Sequence, residues 1–188
     1  MANVQALILI SGKRKCGKDY IARLLQKALG KDCEIAHLST EIKREFAILN
    51  DLDFELLLTD SPYKEGYRSA MIALGEERRA RNPGQYCRLA TQHSTATILI
   101  ISDNRRVTDM SYFTTEYPAR CLSVRVDASE EVRKGRGWKW KGGVDDAESE
   151  CGLDRYTHHV TIFNERDGEI PRAEIASVVQ WARRRVNP

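Results

Sequence analysis

Short apolar runs alternate with amphipathic stretches along most of the chain. Five of these runs are typical of buried strands, at residues 4–10, 33–38, 97–101, 121–126 and 159–163. Between them, apolar residues recur at helical spacing, as at Ile21, Leu24, Leu25, Ala28 and Leu29. Near-continuous apolar strands that alternate with helices indicate a parallel sheet covered on both faces. The pattern predicts a three-layer α/β fold with a five-stranded parallel sheet.

Polar and turn-forming residues predict where the helices begin and end. Gly30 is expected as the C-cap of the first helix, and Ser39 or Thr40 as the N-cap of the second. Residues 54–58 read as a short helix or turn, and residues 62–92 as mostly helical with a break at 82–84. Later helices are expected at 105–116 and 129–135 and after Pro171, with a loop at 137–152.

Length and composition suit one ordinary globular domain, which we expect to span residues 1–188. A net charge of +3 is too small to indicate a nucleic-acid binder. The apolar runs are too short to span a membrane, and no basic segment precedes the first of them. We therefore expect a cytosolic monomer whose partners are small molecules, without nucleic acid or membrane.

The cysteines are odd in number, and no two lie at a metal-ligand spacing. This favours reduced thiols over a disulfide or zinc framework. Cys16 falls in a loop and is expected to be open to alkylation, with no catalytic role.

Residues 12–19, GKRKCGKD, connect the first strand to the first helix and match the glycine-x-x-x-x-glycine-lysine pattern. Backbone N–H groups of such a loop can surround an anion, and the helix N-terminus adds its positive end. Lys18 would then reach the outer phosphates of a nucleotide. The alternative is a basic surface turn. The predicted ATP-phosphate site comprises Gly12, Lys13, Arg14, Lys15, Cys16, Gly17, Lys18 and Asp19.

Two carboxylates are candidates for Mg²⁺, directly or through water. Asp19 stands where the pattern normally has Ser or Thr, and it can bind the water shell of the metal, pair with Lys18 or orient an acceptor. Asp103 follows the third strand, on the same rim of the sheet as the loop. Its alternative role is to cap the helix that follows Arg105.

GTP-switch proteins need Asp-x-x-Gly and Asn-Lys-x-Asp strings, and neither occurs in this sequence. A nucleic-acid-dependent ATPase would be larger and usually more basic, so a small-molecule kinase remains. Cations are dense after Pro62, at Arg105 and Arg106, and again at Arg133 and Arg136. Such density suits an acceptor with several negative charges, although surface arginines can simply be solvated.

The type of acceptor follows from the absence of an obvious catalytic base. An alcohol acceptor needs a general base, whereas a phosphate monoester has a second pKa of about 6 and is already an anionic nucleophile at neutral pH. A phosphate acceptor is therefore favoured.

Several strings resemble animal phosphomevalonate kinases. They are GKRKCGKD at 12–19, YKE at 63–65, GEE at 75–77, SDNRRV at 102–107 and, most specific, GVDDAESECG at 143–152. The similarity keeps order and spacing from about residue 5 to 165. Asp19 is normal in that family, whereas Cys16 replaces an expected serine.

The resemblance implies a nucleoside-monophosphate-kinase-like fold with a mobile lid, here residues 129–152. It also implies ATP- and Mg²⁺-dependent conversion of (R)-5-phosphomevalonate to 5-diphosphomevalonate and ADP, in the mevalonate route to isopentenyl diphosphate, isoprenoids and sterols. A nucleotide monophosphate kinase on the same fold is the alternative.

By matching position, the resemblance also assigns site residues. Lys18 and Arg14 would bind and polarise the ATP phosphates, Arg105 and Arg106 would serve the substrate and the transferring phosphoryl, and Asn164 would lie near the base. The remaining substrate-binding candidates are Lys43, Lys64, Arg68, Arg79 and Arg88, with Arg125, Arg133 and Arg136 on the lid side.

Overall fold

The five predicted strands form a single parallel sheet. The structure, a computed structural model, describes residues 4–92, 94–166 and 168–186. Within these ranges the strands are β1 (Ala6–Ser11), β2 (Cys33–Ala36), β3 (Ile98–Ile101), β4 (Cys121–Asp127) and β5 (Val160–Phe163). Their order is β2-β3-β1-β4-β5, and every neighbouring pair is parallel. Because the chain leaves β1 toward β2 on one side and later returns to β4 on the other, a crevice opens at the carboxyl end of β1.

Helices connect the strands and cover the sheet. They are α1 (Lys18–Leu29), α2 (Leu38–Asn50), α3 (Phe54–Leu58), α4 (Pro62–Arg81), α5 (Gln85–Thr91), α6 (Val107–Glu116), α7 (Glu130–Gly135), α8 (Glu148–Cys151) and α9 (Arg172–Val186). A short 3₁₀ turn, Gly30–Asp32, joins α1 to β2. No helix in the described ranges is long and apolar enough to cross a membrane.

Both faces of the sheet are buried, which explains why β1 is apolar throughout. Ile8 and Ile10 pack with α1 and α9 on one face, whereas Leu7 and Leu9 pack with α6 on the other, next to Phe113. Successive strand residues point to opposite faces, so a strand covered on both sides needs apolar residues at every position. The predicted three-layer α/β fold is confirmed.

A third apolar cluster lies outside the sheet, among α2, α3, α4 and α5. Its buried members are Ile42, Phe46, Ala47, Leu57, Met71 and Tyr86. These helices pack on one another and form the wall of the crevice on the β2–β3 side.

The predicted start of the second helix was wrong. The helix begins at Leu38, and neither Ser39 nor Thr40 is its N-cap. Instead, the backbone N–H groups of Leu38 and Ser39 donate to the two carboxylate oxygens of Asp103, at 2.7 and 2.9 Å. The capping group comes from the end of β3, so local sequence gave no sign of it.

Two other helix predictions also need correction. α6 begins at Val107, so Arg105 and Arg106 precede it and are not part of it. The predicted loop at 137–152 contains one helical turn, α8, near its end.

Truncating Phe113 should show how much more a buried side chain contributes to the free energy of unfolding than an exposed one. Phe113 is fully buried, so Phe113→Ala is expected to lower the free energy of unfolding by about 3–5 kcal/mol, measured by urea denaturation. Phe163→Ala is the matched control, because this phenylalanine is 63% exposed and its truncation should cost less than about 1 kcal/mol. Equal losses in the two variants would contradict the described packing.

Candidate active site

The loop between β1 and α1 is pressed against the ends of β4 and β5, and only glycine fits at its two closest points. A Cβ on Gly12 would lie 2.4 Å from the carbonyl oxygen of Val126. A Cβ on Gly17, whose φ is 90°, would lie 2.1 Å from the side-chain nitrogen of Asn164. The glycine spacing read from the sequence therefore has a steric cause.

Side chains behind the loop hold its carbonyl groups. The amide of Asn164 and the guanidinium of Arg136 donate to the Cys16 carbonyl at 2.9 and 3.2 Å. Nε of Arg133 donates to the Arg14 carbonyl at 2.8 Å. With carbonyls bound at the back, the loop is fixed in shape, as a preformed anion cradle requires.

Cys16 is fully buried at the base of this loop, so the expectation of an accessible thiol was wrong. Its side chain fills the space beside Gly12, where a small residue is required. All five cysteines are free thiols in the structure, and three of them, Cys16, Cys33 and Cys87, are buried.

A cleft of about 640 Å³ opens in front of the loop. Its lining includes nine lysines and arginines but only five carboxylates, although the whole chain carries a net charge of only +3. The positive charge is therefore concentrated in the cleft, which suits a ligand with several negative charges. The cations are Arg14, Lys15, Lys18, Lys43, Lys64, Arg68, Arg79, Arg105 and Arg106, and the carboxylates are Asp19, Asp60, Glu65, Asp103 and Glu150.

Lys18 is the most unusual of these cations. Its side chain lines the cleft, the residue is only 6% exposed, and it forms no ion pair with any residue in the described ranges. Burial, followed by the charge of nearby Arg105, lowers its pKa from 10.5 to about 8. Nearby Asp19 and Asp103 favour the charged lysine without pairing with it among the described residues. A buried cation that lacks a direct partner is costly, so this site favours an anionic ligand.

The two arginines after β3 are tied to carboxylates from different elements. Arg105 pairs with Glu150 of α8 and also donates to the Ser149 carbonyl at 3.4 Å. Arg106 is buried and pairs with Glu76 of α4. Burial lowers the pKa of Arg105. Both guanidinium groups are thereby fixed at the cleft, between the loop and α4.

The helical wall adds further cations. Arg68 pairs with Glu65, and Lys64 lies 3.7 Å from Asp60. Lys43 forms no ion pair with the residues described, and burial lowers its pKa.

Arg79 is the most deeply buried cation of this wall. Its Nε lies 3.1 Å from Asp109, and burial raises the pKa of that carboxyl. Its buried Nη1 has no hydrogen-bond partner among the described residues.

Four predicted substrate-binding arginines do not line this cleft. Arg88 is exposed and donates to Asn82. Arg125 pairs with Asp154, while Arg133 and Arg136 hold the loop from behind. Direct substrate contact by these four has no support from the geometry.

The remaining predicted nucleotide contacts are also placed away from the cleft. Lys13 pairs with Asp154 at 2.8 Å. The Asn164 amide is used to hold the Cys16 carbonyl. Its proposed contact with the base stays a prediction.

The two candidate metal ligands differ in their surroundings. Both oxygens of Asp103 accept hydrogen bonds from backbone N–H groups of α2. Asp103 therefore caps α2 and not the helix near Arg105, which the sequence analysis had considered as its alternative role. Burial opposes ionisation of Asp103, but nearby His37 and these hydrogen bonds lower its pKa overall. Asp19 is exposed at the cleft and has no hydrogen-bond partner among the residues described.

The described ranges contain no group of three or more His, Cys, Asp or Glu residues placed to hold a metal ion. Asp19 nevertheless fits Mg²⁺, because a free carboxylate beside a phosphate site can share an ion with the phosphate oxygens.

The acidic string at 143–152 makes contacts with the phosphate loop that the sequence analysis did not predict. Asp145 pairs with Arg14 at 2.9 Å and accepts the indole N–H of Trp138. Glu150 accepts the backbone N–H of Arg14 at 2.9 Å. The signals in the sequence were the density of acidic residues and the family resemblance of the string, and neither shows which cation each carboxylate contacts.

Comparison with known proteins gives a consistent result. A family model described as phosphomevalonate kinase matches residues 10–119. The phosphomevalonate kinase of Drosophila melanogaster is 40% identical over 174 residues, which cover 90% of this chain and 92% of that protein.

Solved structures show similarity at much lower identity. A protein designated APE1195 is 13% identical, with a TM-score of 0.51 over 97% of both chains. Shikimate kinase from Bacteroides thetaiotaomicron is 12% identical, with a TM-score of 0.47 over 97% of this chain and 99% of that one.

A glycine-bounded loop at the end of a central parallel strand, with a buried lysine at the following helix, defines a P-loop kinase. Its basic cleft beside the loop is suited to a small anionic acceptor. The family match and the Drosophila relative resolve the class further: the chain belongs to the phosphomevalonate kinase family.

The lowered pKa of Lys18 can be measured directly. After reductive methylation with ¹³C-formaldehyde, one lysine resonance should titrate with a midpoint of about 8 and should be missing from Lys18→Arg. The cause is desolvation, which favours the neutral amine. A midpoint above about 10 would show that Lys18 is solvated.

Proposed function

We propose that this protein transfers the γ-phosphoryl group of ATP to (R)-5-phosphomevalonate, forming (R)-5-diphosphomevalonate and ADP. The observation that carries this proposal is Lys18, a buried cation that forms no ion pair with the described part of the chain, at the head of a cleft whose lining includes nine cations. Membership of the phosphomevalonate kinase family supplies the acceptor. The product belongs to the mevalonate route to isoprenoids and sterols.

On the donor side, the loop at 12–19 holds the ATP phosphates with its backbone N–H groups, and Lys18 binds the outer phosphates. Lys18 and Arg14 neutralise charge that builds up as the phosphoryl group moves. Lys15 adds a further cation at the rim of the loop. Its backbone is in the left-handed region there, with a φ of 63°.

Asp19 would hold Mg²⁺, and Asp103 would contribute through water at most, since both its oxygens already accept N–H groups. When bound, the ion supplies additional charge neutralisation at the phosphate oxygens. The role of the chain is to keep an unpaired carboxylate next to Lys18.

On the acceptor side, the cations of the helical wall and the segment after β3 bind the phosphate and carboxylate of phosphomevalonate. They are Lys43, Lys64, Arg68, Arg79, Arg105 and Arg106. An acceptor phosphate is already anionic at neutral pH and needs no general base, so positioning and charge neutralisation are the whole task. The apolar side chains of Ile42, Met71 and Ile72 in the same cleft suit the aliphatic part of the acceptor.

Residues 129–152 form the lid in this proposal. Val144, Ser149 and Glu150 of this segment line the cleft. Closure over both substrates would exclude water, which otherwise competes as phosphoryl acceptor.

We also propose that the protein acts as a monomer in the cytosol, on small molecules and not on nucleic acid or membranes. Five free cysteines support a reducing compartment. The concentration of positive charge inside one cleft supports a small anionic ligand.

The acceptor can be tested with a panel. Release of ADP from ATP should be rapid with phosphomevalonate and near background with AMP, UMP or GMP, measured by a coupled ADP assay at equal concentrations. Turnover with a nucleotide and none with phosphomevalonate would instead support the nucleotide monophosphate kinase.

Replacing Lys18 should separate catalysis from folding. Lys18→Met is expected to reduce kcat/KM by roughly 10²–10³-fold, because a transition-state charge contact is lost. The unfolding temperature should not fall: the folded-state pKa of about 8 lies below the unfolded value of 10.5, so the charged lysine costs stability at neutral pH.

Lys27→Met is the matched control, since Lys27 is exposed in the last turn of the same helix. It should leave kcat/KM unchanged. Near-normal activity in Lys18→Met would show that phosphoryl transfer does not depend on Lys18.

A further inference from the structure

Glu150 contacts both halves of the cleft at once. One carboxylate oxygen accepts the backbone N–H of Arg14 at 2.9 Å, and the other pairs with the guanidinium of Arg105. The side chain is only 3% exposed. Glu150 lies on α8, within the acidic string at 143–152.

The two groups that Glu150 binds belong to opposite sides of the reaction. Arg14 is part of the phosphate loop, and Arg105 lies on the acceptor side, after β3. A phosphoryl group passing from a nucleotide on the loop to an acceptor among the arginines has to cross the space between them. Glu150 spans that space.

A carboxylate accepts hydrogen bonds from the same donors as a phosphate. Backbone N–H groups at a helix-opening loop and arginine guanidinium groups bind either anion. Two anions cannot share these donors in a buried site without strong repulsion. Glu150 and a bound phosphate are therefore competitors for them.

We propose that Glu150 is a positioning residue that competes with phosphate for the Arg14 N–H and the Arg105 guanidinium and is displaced by incoming phosphate. It holds Arg105 and the Arg14 N–H in position without a ligand, and its side chain swings aside when a phosphate ligand binds, while residues 129–152 can still close over the cleft. The proposal rests on the proposed function in taking residues 12–19 as the phosphate site and Arg105 as a cation of the acceptor side.

The thermodynamic consequence is a lower affinity for phosphate ligands. A contact that stabilises only the empty state must be broken on binding, so it weakens binding by the same factor by which it stabilises that state. Removing the charge of Glu150 should therefore tighten binding even though it removes a native contact.

The test is pyrophosphate binding to the full-length protein by isothermal titration calorimetry, at fixed ionic strength and without acceptor. Glu150→Gln is expected to bind pyrophosphate about tenfold more tightly than the unmodified protein, because a charge-assisted pair is lost from the empty state alone. Glu148→Gln removes an identical charge from the same helix, and Glu148 is exposed. Its affinity should stay within about twofold of the unmodified protein.

Equal or weaker binding by Glu150→Gln would overturn the proposal, because Glu150 would then belong to the ligand-bound arrangement as well. Tightening of the same size in Glu148→Gln would also overturn it, because the effect would then be one of general charge.

Thermal unfolding gives an independent readout. Without ligand, Glu150→Gln should unfold at a lower temperature than the unmodified protein, because a buried pair is broken. The increase in unfolding temperature on adding pyrophosphate should nevertheless be larger in the variant. A smaller increase would contradict displacement.

Should Glu150→Gln fail to fold, Glu150→Asp keeps the charge but shortens its reach, and it should tighten pyrophosphate binding by a smaller factor. Weaker binding in that variant would count against the proposal. None of these measurements needs turnover, so they can fail while phosphomevalonate kinase activity is intact, and the reverse also holds.

Discussion

Repulsion among nine cations in a single cleft is the constraint that shapes this structure. Two like charges 4 Å apart repel by about 4 kcal/mol at an effective dielectric constant of about 20. The cleft tolerates this because carboxylates from several elements pair with the cations, among them Glu76 of α4 and Glu150 of α8. Lys18 and Lys43 alone among the nine lack an ion pair or hydrogen bond with the described residues. An anionic ligand would therefore be attracted most strongly to these two side chains.

The fold brings these charges together from distant parts of the sequence. β1 lies at the centre of the sheet and delivers the loop at 12–19, β3 delivers Asp103 and Arg105, and the helical wall comes from the connection between β2 and β3. Asp103 links two of these parts, because its carboxylate holds the first turn of α2. The loop at 12–19 and the segment that carries Asp103 and Arg105 are thus fixed to adjacent strand ends of one sheet.

The features that could be predicted from the sequence are those that depend on local residue patterns. The five strands were visible because both sheet faces are covered, and the loop was visible because Gly12 and Gly17 have no room for a side chain. The N-terminus of α2 was misplaced because its cap, Asp103, lies 64 and 65 residues away from the two N–H groups. The cations of the site were identified from their density and from family resemblance.

The partners of those cations could not be predicted in the same way. Spacing does not reveal that Glu150 meets both Arg14 and Arg105, or that Arg88 points to Asn82 and away from the cleft. Long side chains on loops and helices reach several neighbours, and only the tertiary arrangement selects among them. Residues 129–152, the proposed lid, are the region where this limit was greatest.

The separate apolar cluster of the helical wall has a mechanical consequence. Phe46, Leu57, Met71 and Tyr86 pack within α2 to α5 and not into the two clusters that cover the sheet. Elements with a core of their own can tilt or open as one unit at a free-energy cost well below global unfolding. Leu38 of α2 and Cys87 of α5 also pack in a cluster that covers the sheet, so these two helices anchor the wall there. Substitutions in the small separate cluster would therefore act first on α3 and α4, at a distance from the phosphate loop.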